Sequence, residues 1–227
     1  MKRTHLKQQG FTLTELMIVV ALAAIFATLA VPNMGAMAAR QRVQGQANEI
    51  ANAFTFAHNE AVRRGKPVFV VPGSIRTDGK LNDTSDTWAG ANALVVFTDN
   101  NGGDDQKYNT GEDLRVVSIH NNVLIDKITQ EALGSAVGTN VDDKTMAFTY
   151  YSNGQMRIGK MNNKKVEVNL PPGAIGRIMV KDNKRATRNQ TSRFCEVIRV
   201  DATGRASVYT GKRSALNGNN TDFFYCE

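Results

Sequence analysis

The stretch Gly10-Phe11-Thr12-Leu13-Thr14-Glu15-Leu16 opens an apolar run that continues, broken only by Thr28, to Val31. As a helix, residues 11–31 would measure about 30 Å, enough to cross the hydrocarbon core of a bilayer. Lys2, Arg3 and Lys7 lie on its N-terminal side. Such charges stay cytoplasmic, which would place everything after the run outside. Glu15 stands within it. A carboxylate at the centre of a membrane helix costs about 2.5–3.5 kcal/mol, and a residue retained at that cost marks function.

The rival reading is an ordinary secretory signal, because Ala36-Met37-Ala38 has the small residues of a cleavage site. Such a signal gains nothing from Glu15, and the helical pattern does not stop there. Val43, Ala47, Ile50, Phe54, Ala57 and Ala61 recur at steps of four and three, one apolar stripe on a helix. The helix is predicted to end at Arg63-Arg64-Gly65, with Gly65 as its stop and Pro67 beyond. One helix over 11–64 follows, apolar all round in its first half and amphipathic in its second. Pro32 lacks an N–H and crowds the preceding turn, so a kink is expected there, with Gly35 weakening the helix further.

Gly10-Phe11-Thr12-Leu13-Thr14-Glu15-Leu16 resembles the class III leader and processing site of type IV pilins and type II secretion pseudopilins. The resemblance implies a leader over 1–10, removed between Gly10 and Phe11 by a prepilin peptidase that N-methylates Phe11. It implies that Glu15 pairs with the α-amine of a neighbouring subunit during assembly, and that Pro32 is the helix-bending proline. It also implies a single-pass protein of the inner membrane, anchored by 11–31, with its C-terminal domain in the periplasm and on the cell surface after assembly. Its partners would be other pilins, met through the N-terminal helix.

After Pro67 the pattern changes to short β-type runs separated by turn residues. These runs are 68–71, 93–97, 114–119, 146–151, 155–158, 166–168, 177–180, 194–200 and 205–209. The first is predicted to stop at Pro72-Gly73, and Ser152-Asn153-Gly154 to turn a hairpin. Strands this short and close predict antiparallel sheets over 65–227. The fold class is therefore α+β: a long transmembrane and amphipathic helix packed on an antiparallel, pilin-like domain. Phe148-Thr149-Tyr150-Tyr151-Ser152-Asn153-Gly154-Gln155 and Val200-Asp201-Ala202-Thr203-Gly204-Arg205 resemble the paired hairpin signatures of the GspH/FimT/FimU group. That implies a minor pilin at the tip of a type IV pilus, or an H-type pseudopilin of type II secretion.

Composition adds little: 41% hydrophobic and 22% charged residues suit an ordinary core in a chain of 227 residues. The two cysteines, Cys195 and Cys226, predict one disulfide in an oxidising compartment. The three histidines, His5, His58 and His120, are scattered and support no metal site. No phosphate loop and no nucleophile motif is present, so the chain reads as a non-enzyme without cofactor. Asp99 to Asp105 is rich in oxygen donors, but Gly103 and Thr110 stand where a calcium loop needs ligands, and a polar loop is the better reading. The net charge of +7 is concentrated between Arg177 and Arg213, which hold ten basic and three acidic residues. Lys181, Lys184, Arg185 and Arg188 could meet phosphate, yet no aromatic lies among them to stack a base. A solvated loop is the plainer reading, and DNA capture, known among the FimT-like pilins, the sharper one.

Overall fold

The computed structural model describes residues 11–100, 105–131, 143–168, 173–184 and 194–210, without the side chains of 29–33, 127 and 131. One helix, α1 (Leu13–Arg64), is followed by eleven described strands. These are β1 (Val68–Ile75), β2 (Leu81–Thr84), β3 (Ala93–Phe97), β4 (Asp113–Ser118), β5 (Val123–Glu131), β6 (Met146–Tyr150), β7 (Met156–Asn162), β8 (Lys165–Glu167), β9 (Ile175–Asp182), β10 (Cys195–Val200) and β11 (Ala206–Thr210). The chain divides into two compact units, Met1–Ala39 and Arg40–Glu227. The second half of α1 thus belongs with the strands.

α1 continues through Pro32 and Gly35. It ends where the sequence predicts: Gly65 takes φ +67°, and its N–H reaches back to the Ala61 carbonyl at 3.0 Å. A residue with a Cβ is disfavoured in that left-handed conformation. In the last turn, Glu60 accepts hydrogen bonds from Arg63 at 2.7 Å and Arg64 at 2.6 Å. The Arg63 bond first, then the Arg64 bond, hold the Glu60 carboxyl down at about 2.

The strands form two antiparallel sheets. The first has the order β4-β3-β1-β6-β7-β8, with β2 also paired to β1; the second has the order β11-β10-β9-β5. One core joins them. Val43, Ala47, Ile50, Phe54, Ala57 and Ala61, the predicted stripe, are all buried, together with Val68, Leu94, Phe148 and Ile158 from the first sheet and Ile128, Ile178, Ile198 and Val200 from the second. Phe54 meets Phe148 edge to face at 4.9 Å. The sheets approach closely at Gly176, where a Cβ would collide with the Phe148 ring. The Trp88 indole, buried in the same core, donates to the Met146 carbonyl at 2.7 Å.

The structure departs from the sequence expectation in three places. β1 does not stop at Pro72-Gly73; it runs on to Ile75. Pro72 turns its carbonyl to Ser85, whose N–H donates at 2.9 Å. In an extended strand N and C=O face the same side, so the missing N–H falls between the end of pairing with β6 at Val70 and the start of pairing with β2 at Gly73. No ladder bond to β3 is lost. Gly73 is needed because a Cβ there would strike the Val95 side chain. β2 was not expected: Leu-Asn-Asp-Thr has little β character, and only the turn before it, with Gly79 at φ +80°, folds it onto β1. β5 was not expected either. Ile125 pairs with Val180 and Lys127 with Met179, leaving Asp126 as a bulge that breaks the alternation a strand reading depends on.

Phe54 is fully buried between helix and sheets, so Phe54→Ala should destabilise the full chain by about 3–5 kcal/mol. Equilibrium denaturation in mild detergent measures this, and a loss well under 1 kcal/mol would contradict the shared core.

Candidate functional sites: the helix start and the paired turns

At the helix start, Thr12 is the cap. Its hydroxyl oxygen accepts from the Glu15 N–H at 3.2 Å, and its carbonyl accepts from the Leu16 N–H at 3.2 Å. Thr12 and Glu15 thus have the spacing of a capping box, a signal the sequence reading missed. Glu15 sits in the first turn, where a negative charge complements the helix dipole. Around and after it, Phe11, Leu13, Leu16, Met17, Ile18, Val19, Val20, Leu22, Ile25 and Phe26 are all exposed. A helix apolar on every face needs lipid or other apolar helices around it. Among the described residues, no helix is long and apolar enough to cross a membrane. The expected span over 11–31 extends into 29–31, whose side chains lie outside the described residues. Gly10, the residue before the expected cleavage, also lies outside them.

The second site is built by two turns of the same design. In Tyr151-Ser152-Asn153-Gly154-Gln155, the Tyr151 N–H donates to the Gln155 carbonyl and the Gly154 N–H to the Tyr151 carbonyl, both at 2.9 Å. In Asp201-Ala202-Thr203-Gly204-Arg205, the Asp201 N–H donates to Arg205 at 3.1 Å and the Gly204 N–H to Asp201 at 2.9 Å. Gly154 and Gly204 have φ of +79° and +81°, as a three-residue hairpin loop with a glycine bulge requires. One turn belongs to each sheet, and they meet. The Tyr150 hydroxyl donates to the Gly204 carbonyl at 2.9 Å, in the interior. His58, from α1, lies against both: a Cβ on Gly154 would come within 3.2 Å of its Nε2, and one on Gly204 within 3.4 Å of its Cδ2. A cavity of about 390 Å³ opens beside them, lined by Asn153, Gly154, Gln155, Gly173, Ala202 and Thr203. Sequence reading set His58 aside as one scattered histidine. The signal it lacked was the shared turn spacing, which brings two glycines to one helix residue.

This arrangement binds elements together and offers little chemistry. Burial first, then the nearby Asp201 charge, push the Tyr150 phenol far above its ordinary range, so it stays protonated. Burial alone would raise the Asp201 carboxyl. The Thr203 hydroxyl and the N–H groups of Arg205 and Thr203, together with the Arg199 charge, outweigh it and hold the carboxyl below its ordinary 3.8.

The acidic loop is closed by its own carboxylates. Buried Glu112 accepts from the N–H groups of Asn100 at 3.1 Å and Asn109 at 2.8 Å, and Asp99 accepts from that of Gln106 at 3.0 Å. Among the described residues, no group of three or more His, Cys, Asp or Glu could hold a metal ion. The predicted phosphate contacts separate. Lys181 is paired with Asp126 at 2.7 Å and is mostly covered. Lys184 is exposed, its N–H donating to Asp182 at 3.1 Å. Arg185 and Arg188 lie outside the described residues. Cys195 is buried, and Cys226 lies outside the described residues.

Two family matches fall on these features. The prokaryotic N-terminal methylation motif matches residues 5–31. The family of the type II transport protein GspH matches residues 46–206, from the packed half of α1 through both turns. The chain belongs to the GspH family. Among solved structures this GspH-family chain is similar to the type IV minor pilin FimU of Pseudomonas aeruginosa, at 13% identity over 75% of this chain and 90% of that one, with a TM-score of 0.41. It is also similar to the minor pseudopilin EpsH of the type II secretion system of Vibrio cholerae, at 9% identity over 74% of this chain and 97% of that one, with a TM-score of 0.39. No curated protein matches the GspH-family chain.

Because its carboxyl is depressed, Asp201 contributes stability that is complete above its unfolded-state value near 3.8 and is lost as pH falls through the lower folded value. Asp201→Asn keeps an acceptor oxygen and removes the charge. The variant should show a smaller loss of stability than wild type between about pH 5 and pH 2, read by denaturant midpoints across that range.

Proposed function

We propose that this GspH-family chain is a minor pilin, a structural subunit of the tip or initiation complex of a type IV pilus. The observation that carries the reading is a carboxylate, Glu15, in the first turn of an exposed, all-apolar helix that bears the methylation motif. The leader 1–10 is removed between Gly10 and Phe11 by a prepilin peptidase, which methylates the Phe11 amine. The apolar helix anchors the protein in the inner membrane, with the domain after it in the periplasm, and later packs among sister helices in the filament. Glu15 neutralises the α-amine of a neighbour, an ion pair that matters because the surroundings are apolar. The periplasm is oxidising, and Cys195 pairs there with Cys226. A second reading, an H-type pseudopilin of type II secretion, has its own support in the description of the matched family.

Intact mass and N-terminal sequencing of protein purified from membranes should give an N-methylated Phe11 as the first residue. A chain beginning at Ala39 would instead mark an ordinary secreted protein.

Glu15→Val should insert into membranes as well as wild type, because the anchor becomes more apolar. It should be depleted from sheared pili, or from secretion pseudopili, at equal cellular levels. Recovery equal to wild type in the filament fraction would remove Glu15 from assembly.

A further inference from the structure

Gln46 is a polar residue set within the buried stripe of α1. It is only 6% exposed, and Val43, Ala47 and Ile50 are buried around it on the helix. A buried amide needs partners for both of its ends. Gln46 finds them on the backbone where the chain crosses from β4 of the first sheet to β5 of the second. Its Nε2 donates to the Ser118 carbonyl at 3.1 Å, and its Oε1 accepts from the His120 N–H at 2.9 Å. The same Nε2 donates to the Glu49 carboxylate at 3.4 Å. A flipped amide would set oxygen against oxygen and N–H against N–H, so one orientation alone fits.

The two backbone groups that Gln46 takes face outward from the sheet. β4 ends the described order of the first sheet. The Ile119 N–H turns inward, to the Asn92 carbonyl at 2.8 Å. In an antiparallel ladder the residues on either side of such a position, here Ser118 and His120, turn their N–H and C=O the other way. Outward groups on an end strand are a template for a strand from another chain. An amide side chain carries an N–H and a C=O side by side, as the backbone of an added strand does. Gln46 thus stands in for one residue of such a strand. Asn92 does the same at the end of β1, where its Oδ1 accepts from the Ile75 N–H at 2.7 Å and its Nδ2 donates to the Ile75 carbonyl at 3.1 Å.

α1 delivers the amide to a fixed place. Arg42, one turn earlier, donates to buried Asp182 of the second sheet at 3.1 Å. Residues four apart lie on one face of a helix, so successive turns of α1 hold the two sheets at the crossing between them. Further along β4, the Arg115 guanidinium is drawn back over the Phe56 ring of α1 at 5.7 Å.

We propose that Gln46 is a gatekeeper, its amide closing the β4 edge of the first sheet against strand addition by a second copy of this chain. Subunits that wait together in one membrane are crowded, and edge-to-edge pairing would hold them out of the filament. That purpose rests on the membrane-anchored reading above; the closure itself does not.

The test uses the full chain in mild detergent with photoreactive benzoylphenylalanine at position 121, which is exposed. Unlabelled and heavy-isotope-labelled protein are mixed, so that a cross-link of mixed mass joins two copies. Gln46→Leu keeps the size of the side chain and takes the amide from Ser118 and His120. Mixed links from position 121 to residues 113–121 of the second copy should rise about ten-fold over wild type, the scale of two lost hydrogen bonds. Adding Ser118→Lys should return the yield to the wild-type level, because a charge on an open edge repels its mate, whereas general destabilisation would not respond to it. Mixed links no higher than wild type in a folded Gln46→Leu chain would overturn the gatekeeper, as would links outside 113–121 or a yield indifferent to Ser118→Lys. If Gln46→Leu loses its circular dichroism, Gln46→Glu decides: it keeps the acceptor for His120, lacks the donor for Ser118, and must show the same rise and the same suppression.

Discussion

Phe54 edge-on to Phe148 is the contact about which the domain is arranged. Phe54 comes from the helix, Phe148 from the middle of the first sheet, and Gly176 of the second sheet approaches the Phe148 ring where no side chain would fit. Three layers therefore share one point. The residues around it on the helix are small: Ala47, Ala53, Ala57 and Ala61 are all buried. Small residues let the helix lie close to the sheets, and one large ring then fills the remaining space. Edge-to-face rings add a directional preference to that burial, so the contact fixes orientation as well as energy.

The paired turns repeat this logic at the rim. Each hairpin closes with a glycine in the left-handed region, so each presents bare backbone at its tip. Bare backbone allows His58 and Tyr150 to come into contact with both turns, and the Tyr150 hydroxyl then satisfies the buried Gly204 carbonyl. A buried carbonyl without a donor would cost about 1–3 kcal/mol, so the bond holds the two sheets in one relation. The matched family spans these turns and the helix behind them.

The two units carry different kinds of information. Over residues 11–28 the side chains are exposed and mostly apolar, with a single carboxylate, Glu15, and the physical demand is for company. Among the described residues of Arg40–Glu227, acids close their own loops, as Glu112 does, and cations find acids, as Lys181 does with Asp126 and Arg42 with Asp182 at 3.1 Å. A basic stretch in sequence need not be a basic surface. Lys181 belonged to the densest charge run, and the β5 bulge places an acid beside it.

Much of this was readable in advance, because it depends on residues near one another in the chain. The helical stripe from Val43 to Ala61, its stop at Gly65, the antiparallel class and the two turn signatures all follow from periodicities and backbone preferences that act locally. Glu15 stood out for the same reason, as a charge whose apolar neighbours are its sequence neighbours. β2 and β5 were not readable. The first is polar and is held by its partner; the second is interrupted by a bulge that only pairing with β9 defines. Nor could the sequence place His58 beside two glycines 50 residues apart, Gly154 and Gly204, or set Arg177 opposite Arg199. Those relations are fixed by which strands neighbour which. Strand order is settled by the total burial of the folded chain, a quantity to which every segment contributes and which no single segment displays.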